Sequence, residues 1–118
     1  MPVHRIGLYY ILDEHNLVVP VRDVHEWGKW FEEASRSGRR IVAQDETNGL
    51  RVSTVFLGMD LSVMDERVLT FETMVFRGAS FSDLYMKRYE TWADAVAGHA
   101  DAIEWCHSQE THSHEPKL

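Results

Sequence analysis

The chain has 118 residues, of which 44% are apolar and 26% charged, a balance that excludes wholesale disorder and low-complexity or collagen-like architecture and fits one compact core. Nineteen acids against twelve Lys and Arg give a formal charge of -7, so the chain as a whole offers no general attraction for phosphate and nucleic acid is not favoured as a partner. Its apolar runs fall far short of the roughly 20 residues of a membrane helix, so no membrane association is expected.

Met1 to Asp13 shows no secretory pattern, since only the short run Ile6 to Leu12 follows His4 and Arg5 and no small-residue cleavage site comes after it. The single cysteine, Cys106, has no intramolecular partner for a disulfide, and a reducing, cytoplasmic location is expected.

The aromatic and β-branched run Ile6 to Leu12 predicts a strand, and Asp13 to Asn16 a turn. Leu17 to Val21 can return as a short strand, at an edge because Pro20 has no N–H to donate. Asp23 is a good helix N-cap, with Glu26 placed to complete a capping box. Trp27, Trp30, Phe31 and Ala34 then recur at helical spacing opposite Lys29, Glu32 and Glu33, and Gly38 marks the stop.

From Arg39 the period changes to two. Asn48-Gly49 between two such runs is a type I′ hairpin signal, with Val52 to Leu57 as the return strand. Gly58 to Glu66 is polar connection, and Val68 to Phe76 reads as a third strand with Glu72 the one acid in its middle. Gly78 to Glu90 reads as a loop folding Tyr85, Met86 and Tyr89 back over the sheet. Thr91, with Asp94 three residues on, caps a second helix whose apolar face is Trp92, Ala95, Val96, His99, Ile103 and Cys106.

Residues 107–118 read as a flexible tail, acidic and His-containing, after a single domain over 1–106. Glu90 to Leu118 holds six acids and one lysine, so most of the negative charge sits at the C-terminal end and the body is close to neutral. The fold expected is α+β: an antiparallel sheet of three to five strands with two helices packed on one face.

Three clusters are candidates for chemistry. Glu72 and His99 are placed to share a polar pocket between the last helix and the sheet, as a structural pair or as the acid and base of a small enzyme or ligand-binding site. Arg36, Arg39, Arg40 and Arg51, with Trp27 and Trp30 near in sequence, form a candidate anion-binding patch. Cys106, His107, His112 and His114 are ligand types that zinc prefers, but they lie on a helix end and a tail without the paired knuckles of a structural zinc site. No cofactor is otherwise expected. Ser53, Ser62, Ser80 and Ser82 lie in no Gly-x-Ser-x-Gly elbow, and the chain holds neither a Gly-x-x-x-x-Gly-Lys loop nor a Gly-x-Gly-x-x-Gly turn.

The ordered strings Val52-Ser53-Thr54-Val55-Phe56-Leu57-Gly58-Met59-Asp60, Phe71-Glu72-Thr73-Met74-Val75-Phe76 and Tyr89-x-Thr91-Trp92-x-x-Ala95-x-x-Gly98-His99 resemble a family of small uncharacterised proteins of bacteriophages and prophages. That resemblance implies an origin rather than a mechanism. The expectation drawn from it is a non-enzymatic phage accessory protein acting in the host cytoplasm by protein–protein binding, on a host or phage protein, to modulate host defence or phage replication. A second copy of the chain is the other partner expected.

Overall fold

The computed structural model describes residues 9–60, 66–78 and 83–113. Strand β1 (Tyr9–Leu12) pairs antiparallel with β2 (Val18–Val21), Tyr9 opposite Val21 and Leu12 opposite Val18. The turn between them is organised by Asp13, whose Oδ1 accepts from the N–H of His15 at 2.8 Å and of Leu17 at 2.9 Å, while Asn16 takes a left-handed φ of 66°. Pro20 sits opposite Tyr10 on β2, the edge strand of this sheet, where its missing N–H is tolerated, while the other side of β1 bridges to Met59. The expected first-strand residues 6–8 lie outside the described residues.

Helix α1 (Val24–Ser37) starts where Asp23 accepts the N–H of His25 at 2.9 Å and stops at left-handed Gly38. The return bond from Glu26 to the Asp23 N–H is not made, so the cap is a simple one. Trp27 fastens the helix to its surroundings: its indole N–H is shared between the carbonyls of Tyr10 at 3.1 Å and Gly58 at 3.0 Å, and its ring stacks on Phe31 at 4.7 Å. Trp30 reaches the larger sheet edge-on to Phe56 at 5.8 Å.

The larger sheet is a four-stranded antiparallel meander of β3 (Ile41–Thr47), β4 (Leu50–Phe56), β5 (Phe71–Arg77) and β6 (Asp83–Tyr89), in that order. Asn48 and Gly49, at φ 55° and 81°, form the expected two-residue turn between Thr47 and Leu50. Strand β6 stands where a loop was expected. Its sequence mixes apolar and polar residues on both sides, so no clean alternation announces it, and the ladder to β5 supplies its order.

Helix α2 (Trp92–Ser113) lies across all four strands, capped by Thr91 Oγ1 accepting from the Asp94 N–H at 3.0 Å. Its buried stripe is Ala95, Gly98, His99, Ala102 and Cys106. Val96, expected on that face, is 49% exposed, because the buried stripe is centred on Ala95, Ala102 and Cys106 and Val96 lies about 100° round the helix from Ala95. The helix also continues past Cys106, where a tail was expected to begin; 114–118 lie outside the described residues.

One face of the sheet meets α2 and is dry: Leu50, Val52, Thr54 and Phe56 of β4 with Phe71, Thr73 and Val75 of β5 are all nearly or fully buried. Burying each large apolar side chain of this set contributes about 1.5–3 kcal/mol relative to leaving it in water. The fold is therefore α+β, with antiparallel sheets and α2 packed on a sheet face that α1 also touches, through Trp30 on Phe56.

Candidate functional site

The strict alternation of β5 decides the first candidate. Phe71, Thr73 and Val75 point to α2, so Glu72 points to the opposite face, where it is bonded to Arg88 Nε at 3.0 Å. Glu72 and His99 do not share a pocket; the sheet itself lies between them. His99 has other partners. Its Nε2 lies 2.7 Å from Asp45 Oδ2 on β3, its Nδ1 lies 2.7 Å from Thr54 Oγ1 on β4, and that hydroxyl lies 2.5 Å from Thr73 Oγ1 on β5. The ring and both hydroxyls are enclosed, while the Asp45 side chain is 53% exposed at the sheet edge.

This Asp–His–Thr–Thr chain uses residues that the sequence reading missed except for His99. A signal existed: Thr54 and Thr73 are the hydroxyls at alternating, otherwise apolar positions of two neighbouring strands, and the register places them directly opposite. Asp45 carried no such signal, because its side of β3 depends on a bulge between Ile41 and Ala43. With Thr54 and Thr73 fully buried, the chain is closed to a substrate and ties α2 to three strands.

The four arginines do not converge. Arg36 faces solvent near Glu33 at 3.6 Å. Arg39 donates to the Asp13 carbonyl, and Arg40 donates to the Phe56 carbonyl at 2.9 Å and to Ser35 Oγ at 3.1 Å while its guanidinium lies 4.1 Å from the Phe31 ring centre. Burial works against the Arg40 charge and pulls its pKa down. Arg51 stands five residues along β4 from Phe56, about 17 Å away at strand rise, over the ring of Phe76 at 4.8 Å. Trp27 and Trp30 are packing groups of α1, not partners of an anion site.

The zinc candidate is also taken apart in part. Cys106 is buried against Leu50, Val52, Val75 and Ala102, while His107 is exposed. The side chains of His112 and His114 lie outside the described residues. Among the described residues no group of three or more His, Cys, Asp or Glu comes together to hold a metal ion.

What α2 leaves uncovered is the opposite face of the sheet. Three cross-strand rows build it: Ile41, Val55, Glu72 and Arg88; Gln44, Ser53, Met74 and Met86; Glu46, Arg51 and Phe76. Ile41 is 42% and Met86 48% exposed, and Val55, Met74 and Phe76 are half-buried with no element of the described residues above them. Glu72 pairs with Arg88 at one end of this face, while at the other Arg51, across from Glu46 in the register, donates to the Gly78 carbonyl at 3.5 Å and covers one side of the Phe76 ring.

A separate cleft of about 570 Å³ opens between the β1–β2 turn and the start of α2, lined by Leu17, Val18, Trp92 and Ala93 with Glu90 and His15. Among the described residues no helix is long and apolar enough to cross a membrane. No family model, curated protein or solved structure matches the chain.

Proposed function

We propose that this chain is a small non-catalytic accessory protein, of the bacteriophage type its strings resemble, that acts in the host cytoplasm by holding a host or phage protein on the open face of its four-stranded sheet. The observation that carries the reading is the apolar centre Val55, Met74, Phe76 and Met86 with Ile41 at its edge, exposed or half-exposed on a rigid ladder. Exposed apolar surface of this kind, rimmed by polar groups, marks interaction sites in soluble proteins. Methionine suits such a face, because its flexible, polarisable side chain adapts to the partner's shape. The enclosed Asp45–His99–Thr54–Thr73 chain supports the non-catalytic part of the reading, since its hydroxyls lie where no substrate reaches.

The test compares the native chain with the Ile41→Lys, Met86→Lys double variant as bait in lysate of infected cells. Both positions are exposed, so thermal unfolding is expected to change by only a few degrees. The reading expects at least one protein to be held by the native chain and lost by the double variant. Retention of the same proteins by both baits contradicts it.

A further inference from the structure

The enclosed polar chain obeys a hydrogen count. Three contacts connect four groups: His99 Nε2 to Asp45, Thr54 Oγ1 to His99 Nδ1, and Thr73 Oγ1 to Thr54 Oγ1. A neutral ring carrying its hydrogen on Nε2, together with the two hydroxyls, supplies three hydrogens. Each contact then holds one, and every group donates in the same direction, from Thr73 toward the Asp45 carboxylate.

A proton added to the ring changes that count to four. Nδ1–H must now donate to Thr54, Thr54 must turn to donate to Thr73, and the Thr73 hydrogen is turned out of the chain. The neighbour on that side is Tyr89, which stands diagonal to Thr73 on the helix-facing side of β6; its buried hydroxyl is close enough for Thr73 to act on its acidity but has no partner in good hydrogen-bond geometry among the described residues. We infer that the chain is a proton-driven relay: the charge state of His99, reached from solvent past Asp45, sets the direction of the Thr54 and Thr73 hydroxyls and thereby decides whether Tyr89 Oη receives a hydrogen bond.

The groups facing the relay are few. Strand β3 contributes Asp45, β4 and β5 contribute hydroxyls and apolar side chains, and β6 contributes Tyr85, Lys87 and Tyr89. On α2 itself, Asp101 and Cys106 act on the β6 tyrosines. The Tyr89 phenol is held above its ordinary pKa first by burial, with Thr73 acting the other way, so it keeps its proton throughout the acid range and can donate to Thr73 when the Thr73 hydrogen points into the chain, but must receive when that hydrogen is turned out. Its ring packs so closely under Gly98 that no Cβ fits there. Tyr89 also lines a cleft of about 260 Å³ with Lys87, Asp94 and Asp101, so the relay carries a signal from the β3 edge of the sheet to a cleft at the β6 edge.

The test follows ring ¹⁵N signals of His99 and the ¹³Cζ signal of Tyr89 in the full chain as the solution is acidified. The expected result is an Nε2–H tautomer at neutral pH, and a Tyr89 shift that moves with the midpoint of His99. Thr54→Ser keeps the two together, whereas Thr54→Val, or Thr73→Val should the first not fold, leaves His99 titrating and Tyr89 still. An Nδ1–H tautomer at neutral pH, a Tyr89 signal indifferent to His99 in the native chain, unfolding before His99 takes up its proton, or coupling that survives the valine variants would each overturn the relay.

Discussion

His99 is held by Asp45 and Thr54, and Thr54 in turn by Thr73, one residue from each of three strands, so removing the central one isolates two groups at once. Thr54→Val leaves both the Nδ1 of His99 and the Thr73 hydroxyl without their partner in a site that excludes water. A loss of about 1–3 kcal/mol is expected in urea unfolding, with Thr54→Ser close to native. Asp13 gives a contrasting case at the surface. Backbone N–H groups of Leu17 and His15 hold its carboxyl below the ordinary value of 3.8. A carboxylate depressed in the folded state stabilises above its unfolded pKa and stops doing so as pH falls through its folded one. The β1–β2 turn is therefore expected to be intact at neutral pH and to loosen only in strong acid, read by NMR titration of Asp13; a midpoint at or above 3.8 contradicts the two bonds.

At the scale of elements, two helical glycines separate propensity from packing. A Cβ at Gly28 of α1 meets nothing within 4 Å, so Gly28→Ala is expected to stabilise by up to about 1 kcal/mol through helix propensity alone. At Gly98 the same gain is offset by collision with the buried Tyr89 ring, and overpacking of about 1–3 kcal/mol makes the net effect a loss. Unfolding midpoints of the two variants with opposite signs confirm that α2 is seated tightly at Gly98 while the Gly28 side of α1 faces open space. The hairpin at Asn48-Gly49, both N-caps and both helices were legible in the sequence because each rests on local chemistry: positive-φ residues, a carboxyl or hydroxyl two or three residues ahead of a backbone N–H, a 3.6 period. Strand β6 was not, since its order comes from pairing with β5. The candidate site failed for a similar reason. His99 was legible as a polar residue on an apolar stripe, but whether it meets Glu72 or Thr54 depends on which parity of each strand faces the helix, and only the assembled sheet decides that.

For the whole molecule, the size of the open face bounds the strength of binding. Four strands about 4.8 Å apart and some seven residues long offer a planar footprint of roughly 400 Å², about half of what each side of a standard stable complex contributes. The expected complex is therefore transient, with Kd on the order of micromolar by calorimetry, and nanomolar binding would require surface beyond this face. The face itself reports occupancy through Met74 and Met86, which lie side by side in one cross-strand row. The decisive measurement is a methionine-methyl NMR titration of the native chain with the protein its bait retains. The account predicts that the Met74 and Met86 methyls shift to saturation together, and it is contradicted if they stay in place while Leu17 and Trp92, at the cleft beside the β1–β2 turn, respond instead.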